Sequence, residues 1–205
     1  MTSVVSRRSR RTLGVLMAAA LVLVLAACGS SSDNSQENPG GTTVPTPSGS
    51  LPEFDATSDD PAVGMAMPEV QGKTFDGEPL AIENNGKPKV LLFVAHWCPH
   101  CQKEIPLLKE HFDSTPIPDG VEIITVSTAA QPGAENYPPS EWLEREGWAA
   151  PTIEDDEDNS IAAKFGLKSF PYFVSVDADG KVVERSSGEL TTDQFDSLLA
   201  RAQGQ

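Results

Sequence analysis

The chain is poor in cysteine and histidine, with three of each in 205 residues. Only one C-x-x-C pair occurs, at Cys98 and Cys101, and no second C-x-x-C accompanies it. A structural zinc ion needs three or four such ligands, so half of that site is missing. Methionine-rich and additional histidine tracts that would favour soft-metal binding are absent too. Basic charge is scarce. Four of the 15 basic residues lie in the first 27 positions, and all 30 acidic residues lie beyond them, leaving that remainder at −19. Such a surface repels nucleic acid and anionic lipid head groups, and no nucleic-acid partner is expected. No internal repeat is present. The apolar stretch over residues 13–26 falls short of the ~20 residues that a membrane-spanning helix needs. The acidic run at 154–158 lacks the glycine and terminal glutamate of a calcium loop and reads as a solvated turn.

What is present begins with a targeting segment. Arg7, Arg8, Arg10 and Arg11 precede the apolar stretch, and the pattern over residues 1–27 is that of a signal peptide. It closes in Leu25-Ala26-Ala27-Cys28, which resembles the bacterial lipobox. That resemblance implies lipidation of Cys28 as the mature N-terminus, with the protein anchored to the outer face of the cytoplasmic membrane. Ser9-Arg10-Arg11-Thr12-Leu13 also looks like a twin-arginine export signal, a weaker match. Residues 28–60 are rich in Ser, Pro, Gly and Thr, bury too little apolar surface to offset their ordering entropy, and read as a disordered tether.

The folded domain is expected over residues 61–203. Residues 65–70 and 73–82 read as an N-terminal β-hairpin turning at Asp76-Gly77. Residues 90–95 form a short apolar run without alternation, the mark of a strand buried on both faces, and 121–126 form a second. Helices are expected over 99–112, kinked at Pro106, over 140–146 with Ser140 as N-cap, and over 160–165. A hairpin around Asp177-Ala178-Asp179-Gly180 and a helix from Thr191, with Gln194 spaced for a capping box, end the chain. Strands separated by helices give an α/β fold, a central mixed sheet flanked by helices.

The chemistry concentrates at Trp97-Cys98-Pro99-His100-Cys101, between the 90–95 strand and the helix that follows. Pro99 suits the first helical position, where its missing N–H costs nothing. That places Cys98 at the N-cap, with the N–H groups of His100 and Cys101 and the helix dipole favouring a thiolate. Cys101 lies one turn further in, within reach of a disulfide with Cys98. Two intervening residues close too small a loop to stabilise a fold appreciably, so the pair reads as a redox site. His100, if charged, would favour the Cys98 thiolate and raise the oxidising power of the disulfide. A Cu(I) site built from Cys98, Cys101 and His100 is the alternative from another class.

Strand, Trp, Cys-Pro-His-Cys and helix in this order resemble the thioredoxin superfamily. The extended pattern W-C-x-x-C-x-x-E-x-P, here Trp97 to Pro106, looks like its membrane-anchored TlpA/ResA branch. The resemblance implies a thioredoxin-like fold with an N-terminal hairpin extension. It implies a monomeric extracytoplasmic thiol–disulfide oxidoreductase with no cofactor beyond the Cys98–Cys101 disulfide. Its partners would be exported protein thiols or disulfides and a membrane redox protein that resets the dithiol. Cys98 would attack, Cys101 would resolve, and Glu104 would pass protons to or from Cys101. Ser169-Phe170-Pro171 matches the cis-proline loop, so Phe170 and Pro171, with Trp97, would dock the substrate. Leu92 stands where thioredoxin keeps a buried aspartate, which leaves Glu104 as the main proton acceptor. The Cys-Pro-His-Cys pattern is shared with DsbA-type oxidases and tips the expected direction toward oxidation; TlpA/ResA kinship points to a reductant. The Pro-x-x-x-Thr-x-x-Cys pattern of peroxiredoxins is missing. His96 is as readily a spectator as a participant, and His111 reads as a surface residue.

Overall fold

The computed structural model describes residues 49–205. The signal segment, Cys28 and most of the tether lie outside the described residues. Seven strands form one mixed sheet in the order β2 (Pro79–Ile82), β1 (Val70–Lys73), β5 (Thr152–Glu154), β4 (Glu122–Ser127), β3 (Lys89–Val94), β6 (Tyr172–Val176), β7 (Val182–Ser187). At its centre β3 (Lys89–Val94) runs parallel to β4 (Glu122–Ser127) and antiparallel to β6 (Tyr172–Val176). All six β3 residues are buried. Leu91 and Phe93 join one apolar cluster and Val90, Leu92 and Val94 the other, so the pleat feeds both faces of the sheet. This explains the missing alternation in the sequence. β5 (Thr152–Glu154) pairs parallel to β4 and extends the sheet toward the hairpin.

That hairpin, β1 (Val70–Lys73) and β2 (Pro79–Ile82), turns through Gly77 at φ +82°, close to the expected Asp76-Gly77 turn. Its first strand starts later than the sequence suggests; Ala66 makes only an isolated bridge to Lys181. β5 is a strand that the sequence does not announce, and it ends at Glu154, where the acidic run begins. Only Ile153 of its three residues is buried, too little for a strand pattern. The redox helix is α1 (Pro99–Ser114), and Pro106 lies inside it. α2 (Pro139–Arg145) starts one residue before Ser140, so Pro138 stands at the N-cap position and no side chain caps the helix. α3 (Ser160–Lys164) is held at its start by the Asp155 carboxylate, which accepts from the Ile161 and Ala162 N–H groups. β7 (Val182–Ser187) completes the second hairpin, and α4 (Thr192–Ala202) carries both bonds of the Thr191/Gln194 capping box.

The ordered fold begins before Pro61, where the domain was expected to start. Leu51 and Phe54 are buried in the core although they stand in a stretch of polar and small residues. Leu51 N–H donates to the Lys164 carbonyl at 2.7 Å and Phe54 N–H to Gly166 at 2.9 Å. Gly166, at φ +73°, lets this segment approach: a Cβ there would lie 2.2 Å from the Pro52 carbonyl oxygen. Arg185 ties the segment down from β7. Its buried guanidinium pairs with Asp60 through two hydrogen bonds and donates to Pro52 O at 2.8 Å. Two lone apolar residues and one distant arginine convert the end of the tether into a strap.

Candidate active site

β3 ends at Val94, and the turn through Ala95, His96 and Trp97 delivers Cys98 to the N-cap of α1. Its backbone is extended, and Pro99 occupies the first helical position. Both cysteines are free thiols, with Cys98 5% exposed and Cys101 fully buried. One expectation is not met in the geometry: no N–H of the first turn bonds to the Cys98 side chain. Burial pushes the Cys101 thiol far above the ordinary thiol range; a main-chain hydrogen bond at Ala95 opposes this, while Cys98 and Glu104 add to it.

Glu104 lies one turn beyond Cys101 on the buried face of α1 and is fully inaccessible. Its Oε2 accepts the Leu190 main-chain N–H at 3.1 Å, and its Oε1 has no partner. Burial raises its pKa to about 7, against the lowering hydrogen bond from Leu190 and with a further push from the Glu189 charge. An exposed first-turn carboxylate would show none of this. The result is a buried carboxylate whose charge reaches the inner thiol.

His100 turns outward. Its imidazole, 61% exposed, meets Glu189 at 2.6 Å, and Lys103 donates to the same oxygen at 3.2 Å. The ring is therefore engaged by a carboxylate rather than turned toward Cys98. Among the described residues no group of three or more His, Cys, Asp or Glu side chains is placed to hold a metal ion. His96 is buried, its Nδ1 donating to the Glu135 carbonyl at 2.7 Å and its Nε2 accepting from Gln131 N–H at 3.0 Å. That pattern needs the neutral ring, so His96 fastens the 129–138 loop beside the site. His111 is not a free surface group; it bonds Asp196 at 2.8 Å and joins α1 to α4.

The Phe170–Pro171 peptide is cis. Phe170 packs edge-on against Trp97, with ring centroids 5.9 Å apart, and both flank the cluster that contains the two cysteines. Trp97 is fixed from the other side by donating Nε1–H to the Ala129 carbonyl at 2.7 Å. Leu92 is buried in the same cluster, so no second carboxylate stands in its place. Glu189 and the Leu190 N–H escape a reading of the sequence. They lie some ninety positions from the motif in a short connection, and no spacing rule links them to it.

A family model described as Redoxin matches residues 62–200. The chain belongs to the Redoxin family. The chain is 27% identical over 150 residues to the thiol-disulfide oxidoreductase ResA of Bacillus thuringiensis (strain Al Hakam), spanning 72% of this chain and 83% of that protein. It is 24% identical over 123 residues to sporulation thiol-disulfide oxidoreductase A of Bacillus subtilis (strain 168), spanning 60% and 73%. Among solved structures it is similar to a secreted Mycobacterium tuberculosis disulfide oxidoreductase described as homologous to E. coli DsbE. The TM-score is 0.52 and the identity 25%, covering 64% of this chain and 95% of that one. The fold is thioredoxin-like, and the protein is a thiol–disulfide oxidoreductase of the thioredoxin superfamily.

Proposed function

We propose that this Redoxin protein is exported, held at Cys28 by lipid on the outer face of the cytoplasmic membrane, and there reduces disulfides of exported proteins. The observation that carries the reading is the arrangement of the two thiols: one at the start of α1 and slightly exposed, the other fully buried on the helix face that also carries a buried carboxylate. Cys98, as thiolate, attacks one sulfur of the partner's disulfide; that bond breaks, a Cys98–partner disulfide forms, and the partner's other sulfur leaves and takes a proton. Cys101 then gives its proton to Glu104 and attacks Cys98, releasing the second partner thiol. Two electrons pass to the partner, and the Cys98–Cys101 disulfide that remains requires a dithiol donor, expected at the membrane, to reset it. Trp97, Phe170 and the cis-Pro171 loop form the apolar wall against which the partner chain would dock.

The reducing direction rests on His100. An imidazolium reserved for Cys98 would make the thiolate cheap and the disulfide a strong oxidant. Here that ring is engaged by Glu189 and mostly exposed, where water and salt screen it. This engagement supports the reducing direction over the oxidising one expected from Cys-Pro-His-Cys.

Two measurements test the reading. Cys101→Ala should accumulate mixed disulfides with exported proteins, while Cys98→Ala accumulates few; the reverse yield would exchange the two roles. The reduction potential of the Cys98–Cys101 pair should lie nearer to thioredoxin's, about −270 mV, than to DsbA's, about −120 mV. A value close to the latter would restore the oxidising direction.

A further inference from the structure

The connection between β7 and α4 touches the redox site with three successive residues. Gly188 N–H donates to the Pro171 carbonyl at 2.9 Å. The Glu189 carboxylate accepts from His100 at 2.6 Å and from Lys103 at 3.2 Å. Leu190 N–H donates to Glu104 at 3.1 Å. The backbone on either side of Glu189 is thereby fixed, to the cis-proline loop on one flank and to the buried carboxylate on the other. Leu190 is itself buried in the cluster that holds both cysteines.

A lone surface ion pair contributes little, because two flexible chains must be immobilised to make it. Glu189 differs in that its main chain is already immobilised by bonds to the site. Its carboxylate also sits on His100 and Lys103 near the start of α1, the helix end whose dipole and N–H groups favour negative charge at Cys98. Lys103, and His100 while protonated, are the positive charges it engages, and a positive charge near a helix start favours a thiolate there.

We propose that Glu189 is a positioning residue that raises the cost of the Cys98 thiolate by occupying His100 and Lys103, and so keeps the dithiol couple reducing. The inference rests on Cys98 being the attacking thiol. Glu189 touches neither sulfur and acts through the two cations. Its neighbours name the groups concerned: His100 and Lys103 outside, Glu104 inside, Cys98 and Cys101 at the helix start. Removing the carboxylate while keeping an acceptor oxygen would leave Lys103, and His100 while protonated, without a counter-charge.

The test is the pH dependence of Cys98 alkylation in the reduced full-length chain. Glu189→Gln should shift the profile to lower pH, equivalent to a thiolate ionisation constant about two- to fivefold larger, the scale of an exposed ion pair. Glu189→Asp, which keeps the charge, should stay near wild type. In 1 M salt, where the screening length falls to about 3 Å, Gln variant and wild type should converge. Equal melting temperatures would show that the loop remains in place. A Gln profile that coincides with wild type at low salt, or moves to higher pH, overturns the proposal. Alkylation falling first on Cys101 would instead overturn the assignment of Cys98 as attacking thiol, an outcome read from the modified residue rather than from the shift.

Discussion

Glu104→Gln is expected to stabilise the protein at pH 8 and to leave it nearly unchanged at pH 4. The folded state holds the Glu104 proton up to about pH 7, well above the ordinary 4.5 of a glutamate. Below pH 4.5 both folded and unfolded chains carry that proton, and burial costs no charge. Between pH 4.5 and 7 the unfolded chain gives it up while the folded one keeps it, so stability falls as pH rises; above 7 the loss is complete. The shift corresponds to about 3 kcal/mol, since each unit is worth about 1.4 kcal/mol. Gln cannot ionise and removes that slope while keeping the acceptor for Leu190 N–H. Denaturant unfolding of the reduced protein at pH 4, 6 and 8 measures it, and parallel curves for variant and wild type would refute the assignment. The same variant should exchange disulfides about 10²-fold more slowly, the usual scale for loss of a proton acceptor. A protein that gains stability and loses rate at one buried carboxylate keeps it for chemistry.

Asp60→Ala should have an effect of similar size and opposite sign. Arg185 has no exposed side-chain surface, and Asp60 supplies its only counter-charge among the described residues. Stranding a buried guanidinium costs about 3 kcal/mol or more. The main-chain carbonyls of Pro52 and Phe165 and the Tyr172 hydroxyl remain as acceptors, which places the expected loss at the lower end. Replacing both partners by apolar residues should recover much of it. Although burial works to raise the Asp60 pKa, hydrogen bonds from Arg185 and Ala62 N–H hold it below the ordinary carboxylate range. Its contribution is therefore present above the unfolded value and is lost as pH falls through the lower folded one. Guanidinium unfolding at pH 7 checks the magnitude. A loss no greater than the ~1 kcal/mol of a surface pair would mean that the strap does not depend on Arg185.

How far the sequence reaches can be read from particular residues. The apolar run before Trp97, the proline after Cys98 and the Thr191/Gln194 box all act within one turn or one strand. Local composition therefore carries them, and the mixed sheet, the redox helix and the final helix follow. β5 escaped because one buried residue makes no pattern. The strap escaped because Leu51 and Phe54 are isolated in a polar stretch and their partners, Lys164 and Gly166, lie over a hundred residues away.

At the site the division is the same. The sequence by itself determined the two thiols, their order and the helix start that carries them, because chain connectivity and the geometry of a helix terminus suffice for these; the proline loop at Pro171 came from the resemblance to the thioredoxin superfamily. It also put Glu104 three residues past Cys101, but not whether that carboxylate met water. Only the tertiary structure decided that Glu104 is sealed with one oxygen unpartnered, that His96 fastens a loop, and that His100 is claimed by Glu189. Ionisation is set by what surrounds a group in space, and the partners of these three side chains come from residues 30 to 90 positions away.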